Sequence, residues 1–329
     1  MTRAAIWLLS AGVLLFAGVL ISQGFTAVLA TLAVAGWGLP LVALLHLVPL
    51  ALDAASASVM FDRIPGRHLL RHALMARWVG ESANSFLPAG PVSGPVVMSR
   101  YFAQRGMSMR EAAAGLTVST TLQALAQLVF ALMGVAMLSS HTGSQSSEHA
   151  LLTPLLVSGG LLTFCLTGFY FAQRNGLFGK LVRMFERFAG KRDLSKLAAQ
   201  ADAIDHAVQD AYGRKGRALA SFFFSLAGWV IGVTEVYVIL LLLQFPVTWG
   251  DALLLESLGQ AVRAAGFAIP GSLGIQEGGF LLLAPLVGMR PETALALSLA
   301  KRAREVILGV PGLLYLHFSE RGWRRRLAV

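Results

Sequence analysis

Residues 268–279 read Ala-Ile-Pro-Gly-Ser-Leu-Gly-Ile-Gln-Glu-Gly-Gly, which places one proline and four glycines inside a long apolar stretch. Proline removes a backbone donor and glycine weakens a helix interior, so a helix is interrupted there. At bilayer depth, non-helical backbone is tolerated only where it is buried in protein or lines a wet cavity. The stretch therefore predicts a broken helical hairpin over residues 251–288, with breaks at Pro270, Gly271 and Gly274.

The composition around this stretch is that of an integral membrane protein. Of the 329 residues, 56% are hydrophobic and 13% are charged, whereas soluble domains hold roughly 25% charged residues. Apolar stretches of about 18 to 27 residues recur along the chain, which is the length that crosses a bilayer. The sequence excludes a soluble enzyme and predicts an all-α polytopic membrane protein. The single cysteine, Cys165, excludes an intramolecular disulfide.

Hydropathy predicts one transmembrane domain over residues 1–329 with about six full spans and two re-entrant hairpins. We expect the first span to be retained and not cleaved as a signal peptide. The net charge of +10 lies mostly in short polar segments, so both termini and the basic stretch from Arg63 to Arg77 are expected in the cytoplasm. The predicted spans lie near residues 4–21, 32–52, 112–138, 151–171, 218–243 and 293–318.

The longest polar insert covers residues 173–217 and is rich in lysine and arginine. Apolar residues recur at helical spacing among these charges, which predicts a basic amphipathic helix on the anionic cytoplasmic surface of the membrane. A solvated helix that covers the ends of the bundle explains the same pattern equally well.

The two broken segments resemble each other. The first hairpin, predicted over residues 78–100, has its breaks at Pro88 and Gly90, and the later pair Gly106-Met107 aligns with Gly288-Met289. We therefore predict two repeats, over residues 1–138 and 151–318. Three spans separate the hairpins, and an odd number of crossings reverses the orientation, so the repeats should be inverted. Inverted repeats with interrupted helices are typical of transporters.

Charged and polar residues within the predicted spans and hairpins indicate the site. Charged side chains are costly inside a bilayer and are usually kept there for a function. Lys301 and Glu305 could pair at i, i+4, which leaves guanidinium groups in surplus. The surplus favours a phosphate or carboxylate head group, since arginine suits bidentate oxyanion contacts. An internal ion-pair network that locks hairpins to spans remains the alternative. The predicted cavity residues are Arg263, Arg302, Arg304, Lys301, Glu305, Glu277, Glu256, Gln260, Glu81 and Asn84.

The sequence contains few candidate catalytic motifs. It has no nucleophile elbow, no phosphate loop and no zinc-type histidine spacing. His46 and Asp53 form the one His–acid pair on a membrane-level helix face, and a core or interfacial role is favoured for His46. We therefore expect no enzyme activity, no cofactor, no metal and no nucleic-acid partner.

Several long motifs resemble the flippase-like family formed by the transmembrane region of lysylphosphatidylglycerol synthases. Residues 77–88 are similar to its first signature, and residues 259–263, 270–279 and 301–313 are similar to its second half. The stretch 46–53 resembles the hopanoid-associated HpnL-type subgroup most. One departure is Ser93-Gly94-Pro95, where the family usually has an acidic residue.

The resemblance implies a lipid-translocating protein of the bacterial inner membrane. We expect a flippase that moves a polyterpenoid, hopanoid-related lipid or an anionic lipid between leaflets. A second hypothesis is a non-transporting scaffold that recruits hopanoid-biosynthesis proteins through the basic surface from Lys180 to Lys196. A third is an intramembrane transferase or hydrolase that uses His46 and Asp53.

Overall fold

The computed structural model describes residues 33–61, 69–87, 93–141, 167–188, 195–266 and 269–327, together with the isolated residues 30, 160 and 164. The predicted first span, most of the fourth, and the first hairpin's breaks at Pro88 and Gly90 lie outside these residues. Throughout the described part the regular elements are helices and no strand occurs, which confirms the all-α prediction.

The α-helices follow one another with short connections. They are α1 (Gly38–Leu45), α2 (Leu47–Ser58), α3 (Leu69–Phe86), α4 (Ser93–Ala103), α5 (Met109–His141), α6 (Leu177–Phe188), α7 (Ser195–Gly213), α8 (Lys215–Leu242), α9 (Trp249–Ala265), α10 (Ile275–Leu283) and α11 (Pro291–Leu327). Two single 3-10 turns, Pro270–Ser272 and Ala284–Val287, flank α10.

Three helical stretches among the described residues are long and apolar enough to cross a bilayer. They are Gly38–Ser58, which joins α1 and α2, Met109–Leu138 in α5, and Lys215–Leu242, which is α8. These stretches match the predicted second, third and fifth spans. The predicted sixth span lies in α11, whose four charged residues between 301 and 305 set it apart from the three apolar helices.

Helices α3 and α4 form an antiparallel hairpin, and glycines without side chains allow the two helices to approach closely. A Cβ atom at Gly80 would lie 2.7 Å from Met98 Cγ, and one at Gly94 would lie 2.7 Å from the Asn84 amide. The Gly94 N–H donates to Asn84 Oδ1 at 2.6 Å. Asn84 therefore joins the C-terminal part of α3 to the first turn of α4.

Helices α9 and α10 form the second antiparallel hairpin. Gly259 faces Phe280, and Gly266 faces Ile275. A capping box between Thr248 and Asp251 begins α9. The chain between the helices is unwound: Gly271, Ser272 and Gly274 have φ angles of +63°, +48° and +79°, in the left-handed region that disfavours a side chain. The helix is therefore interrupted between residues 271 and 274.

The same turn occurs twice, before α5 and before α11. Gly106 and Gly288 both have positive φ. The N–H of each glycine donates to the carbonyl three residues back, and the N–H of the next residue, Met107 or Met289, donates to the carbonyl five residues back. Both methionines are buried. The Gly-Met similarity seen in the sequence therefore corresponds to a shared backbone geometry.

Helices α5 and α8 pack together, and most other elements gather around them. α5 also contacts α4, α7 and α9, whereas α8 also contacts α1, α2 and α9. The largest apolar cluster joins α5, α8, α9, α10 and α11 around residues such as Phe130, Leu255 and Leu297. A second cluster fills the first hairpin and includes Phe61 and Phe102.

The polar insert folds into α6 and α7, and α7 packs against α5. The Asp205 carboxylate accepts the N–H groups of Phe178 and Gly179 and so caps the start of α6. The buried Gln173 bonds to Thr121 of α5 and accepts the Tyr212 hydroxyl at 2.7 Å. Burial raises the pKa of Tyr212 to about 12, so the hydroxyl remains a donor. The insert is therefore anchored to the bundle.

Candidate functional site

A cavity of about 440 Å³ lies between the two hairpins and α2, α5, α8 and α11. This volume falls within the roughly 300–1,000 Å³ typical of small-molecule sites. Its wall mixes charged groups with hydroxyl and amide side chains. The polar lining residues are His46, Asp53, Ser56, Arg77, Glu81, Asn84, Ser85, Ser119, Thr120, Gln123, Gln127, Trp229, Glu235, Glu256, Gln260, Arg263, Ser272, Lys301, Arg304 and Glu305.

One side of the cavity carries an interlocked group from α2, α3 and α5. Arg77 Nη2 lies 2.7 Å from Asp53 Oδ2, and Gln123 Nε2 donates to the same oxygen at 2.8 Å. Arg77 Nη1 also donates to Gln123 Oε1. Helix α3 begins at Leu69 and brings Arg77 into contact with α2 and α5.

His46, at the joint between α1 and α2, lies at the centre of a second group. Its Nδ1 is 3.0 Å from Glu235 Oε2, and its Nε2 is 2.9 Å from Glu81 Oε1. Arg304 Nη1 lies 2.6 and 2.7 Å from the two ring nitrogens. His46 therefore joins the α1–α2 joint to α3, α8 and α11.

The remaining ion pairs connect α9 to α11. Lys301 Nζ lies 2.6 Å from Glu256 Oε2, and Arg263 Nη1 lies 2.7 Å from Glu305 Oε1. The expected pair of Lys301 with Glu305 is absent from the structure's ion pairs, because each residue has a partner on α9. Gln260 also donates to Glu256 at 2.8 Å.

Arg302 holds the unwound backbone of the second hairpin. Its Nη1 donates to the Gly271 carbonyl and its Nη2 to the Ser272 carbonyl at 3.1 Å. Its Nε lies 3.0 Å from Glu277 Oε1, and Glu277 is fully buried. Glu277 in turn accepts the Gly274 N–H at 2.7 Å. Arg302 and Glu277 thus satisfy backbone groups that a helix break leaves unpaired.

The charges that line the cavity nearly balance, with one more carboxylate than basic side chains when His46 is counted as neutral. Among the described residues, four basic side chains and five carboxylates line it. Each of these basic side chains has a carboxylate oxygen within 4.0 Å. The surplus of guanidinium groups expected from the sequence is not seen here, because Arg302 is paired with Glu277, and Arg304 lies 3.3 Å from Glu235.

The structure brings most of the predicted site residues together. Eight of them line the cavity: Arg263, Arg304, Lys301, Glu305, Glu256, Gln260, Glu81 and Asn84. Arg302 and Glu277 lie beside it at the hairpin break. Sequence reasoning left His46, Asp53, Arg77 and Glu235 out of the site. The sequence feature that could have identified them is an ionisable side chain within or next to an apolar stretch, most clearly the pair of His46 and Asp53.

Metal-binding geometry is absent from the described part of the chain: its His, Cys, Asp and Glu side chains form no group of three or more that could hold an ion.

Three comparisons with known proteins bear on the identity of the chain. No curated protein and no solved structure matches the chain. One protein family does match, described as "Lysylphosphatidylglycerol synthase TM region", and the match covers residues 7–312. With its membrane-length helices and nearly full-length match, the chain belongs to the lysylphosphatidylglycerol synthase transmembrane-region family, whose function is related to membrane lipids.

Proposed function

We propose that this protein moves a lipid between the leaflets of the bacterial inner membrane, with the head group held in the cavity between the two hairpins. The observation that carries the proposal is a charged cavity of about 440 Å³ inside a bundle with three membrane-length apolar helices. Charged groups at bilayer depth each cost about 2.5 to 3.5 kcal/mol on insertion scales. Apolar packing would stabilise a purely structural bundle as well, so a polar ligand explains the charges better.

The arrangement of the halves supports transport. Gly106 and Gly288 are 182 residues apart, and the same separation relates Pro88 to Pro270 and Asp53 to Glu235. We infer from this register, and from the shared turn, that the halves are inverted repeats that meet at the cavity. Sites between such repeats, built from interrupted helices, are typical of secondary transporters.

The family's relation to membrane lipids makes a lipid the proposed substrate. The similarity of residues 46–53 to the hopanoid-associated subgroup favours a polyterpenoid, and an anionic lipid is the second candidate. We further propose cytoplasmic termini. A transporter is favoured over an enzyme because, among the described residues, no serine, threonine or cysteine side chain hydrogen-bonds His46.

A scaffold is the second candidate function, and one observation favours it. Helix α6 exposes basic and apolar side chains together, namely Lys180, Leu181, Arg183 and Met184. A scaffold would bind hopanoid-biosynthesis proteins through this face. Reversing the charges of Lys180 and Arg183 should then abolish function while lipid movement persists.

The direct test is lipid flipping in proteoliposomes that contain the full-length protein and a fluorescently labelled lipid, with dithionite as the quencher. Glu81→Gln should slow flipping by roughly tenfold or more, because a charged hydrogen bond contributes about 1.5 to 3 kcal/mol. Glu81 lines the cavity and contacts His46, whereas Glu320, which pairs with Arg100 away from the cavity, provides the matched control Glu320→Gln. Flipping that is absent from the wild type, or equal in both variants, would overturn the proposal.

A further inference from the structure

We infer that the head group bound in this cavity is uncharged and rich in hydroxyl groups, as in a sugar or another polyol. The inference rests on the proposed function in one respect, since it takes the ligand to be a lipid. It is carried by two features of the wall: its charge balance and its unused hydrogen-bonding atoms.

Charge balance argues against an ionic head group. Arg77, Arg263 and Lys301 each have a carboxylate oxygen at 2.6 to 2.7 Å. An anionic head group would have to displace one of these carboxylates, which would leave it unpaired in a low-dielectric site. A cationic head group would have to share a carboxylate that already neutralises a guanidinium or ammonium group. A neutral head group leaves every pair intact.

The unused atoms include both donors and acceptors. Arg77 Nε and Trp229 Nε1 are buried N–H donors without a hydrogen-bond partner. Asp53 Oδ1 and Glu81 Oε2 accept no hydrogen bond from the described residues. A hydroxyl group both donates and accepts, whereas a phosphodiester only accepts and an ammonium group only donates. Of these three kinds of group, only hydroxyl groups match the whole set.

Two of these atoms, Asp53 Oδ1 and Arg77 Nε, belong to one interlocked group. Asp53 and Arg77 are in direct contact, and Asp53 Oδ1 is 3.5 Å from the place of a Cβ atom at Gly228. Because Gly228 has no side chain, that oxygen stays open, and Trp229 follows immediately on α8. Gln123 contacts both Asp53 and Arg77. This part of the cavity thus offers both donors and acceptors, on residues of α2, α3 and α8.

A binding experiment tests the inference with three lipids that have the same acyl chains: a monoglucosyl diacylglycerol, phosphatidic acid, and an aminopropane lipid whose head group is a primary ammonium. Native mass spectrometry of the purified full-length protein, offered an equimolar mixture, should show the glucosyl lipid bound in several-fold excess. Preference for phosphatidic acid or for the cationic lipid, or equal retention of all three, would overturn the inference.

A single substitution tests where in the cavity the head group binds. Trp229→Phe keeps the stacking on Phe130 but removes the indole N–H, so affinity for the glucosyl lipid should fall roughly threefold to tenfold, the effect of one lost hydrogen bond. Trp249→Phe is the matched control, because Trp249 is exposed and packs on Tyr237 away from the cavity. Equal affinity in the two variants would refute this placement of the head group.

Flipping measured on the same preparations separates the two proposals. Selective binding of the glucosyl lipid without flipping would overturn the proposed transport and leave the head-group assignment standing. Flipping of phosphatidic acid in preference to the glucosyl lipid would do the reverse.

Discussion

At the scale of single residues, Arg302 and Glu277 show how a broken helix is made stable at bilayer depth. The break exposes the Gly271 and Ser272 carbonyls, and one guanidinium group satisfies both while it neutralises a fully buried carboxylate. This arrangement assigns Arg302 a role in the framework of the cavity, next to the residues that line it.

Arg302→Ala should therefore reduce stability. Removing one partner of a buried pair costs about 3 to 5 kcal/mol, because the remaining charge is unpaired. Thermal unfolding of the purified protein in detergent measures the loss. Arg302→Lys should fall between the wild type and Arg302→Ala, since lysine keeps the charge without the fork of donors. Arg290→Ala, at an exposed position just before α11, is the control. If Arg302→Ala unfolds at the wild-type temperature, the framework role is refuted.

The residues of the site were partly predictable. Charged residues inside apolar stretches identified Arg263, Lys301 and Arg304, because such charges need a cavity or a partner. The sequence does not specify the partner of each charge. A charged residue can pair with one four positions away on its own helix or with one on a neighbouring helix. Lys301 thus pairs with Glu256 across the bundle. Arg77 was left out of the predicted site because basic residues before a hairpin are typical of a cytoplasmic loop.

At the scale of elements, close helix contacts depend on glycines that face a neighbouring helix. Gly134 of α5 lies against α9, and a Cβ atom there would lie 2.9 Å from Ser257 Cβ. Gly134→Ala should therefore destabilise the protein by about 1 to 3 kcal/mol through overpacking. Gly216, on α8, has open space around it, so Gly216→Ala should be neutral or stabilising by up to about 1 kcal/mol. Chemical or thermal unfolding compares them, and an equal loss in both would contradict the packing argument.

The apolar helices were the most predictable elements, because about 20 apolar residues are needed to cross a bilayer and little else has that pattern. α5 and α8 accordingly begin and end within a few residues of the predicted spans. α3, α9 and α11 mix charges with apolar residues, so hydropathy alone identifies them poorly. Their positions depend on the ion pairs that join them.

At the scale of the whole molecule, α8 is long enough to reach from one side of the membrane to the other. It has 28 residues, so its length is roughly 42 Å at 1.5 Å per residue. The insert with Lys180 precedes its first residue, and Pro246 follows its last. In a variant without Cys165, Lys180→Cys and Pro246→Cys should react with an impermeant maleimide from opposite sides of the membrane, Lys180→Cys from the cytoplasm. Labelling of both from one side would contradict a spanning α8.

The charges of α11 also have a consequence for biosynthesis. Four charged residues within one turn and a half make this helix too costly to enter a bilayer alone. The counter-charges outside the helix, on Glu81, Glu235, Glu256 and Glu277, lie earlier in the chain and emerge first from the ribosome. We therefore expect α11 to insert against the earlier helices that carry these carboxylates, and not alone.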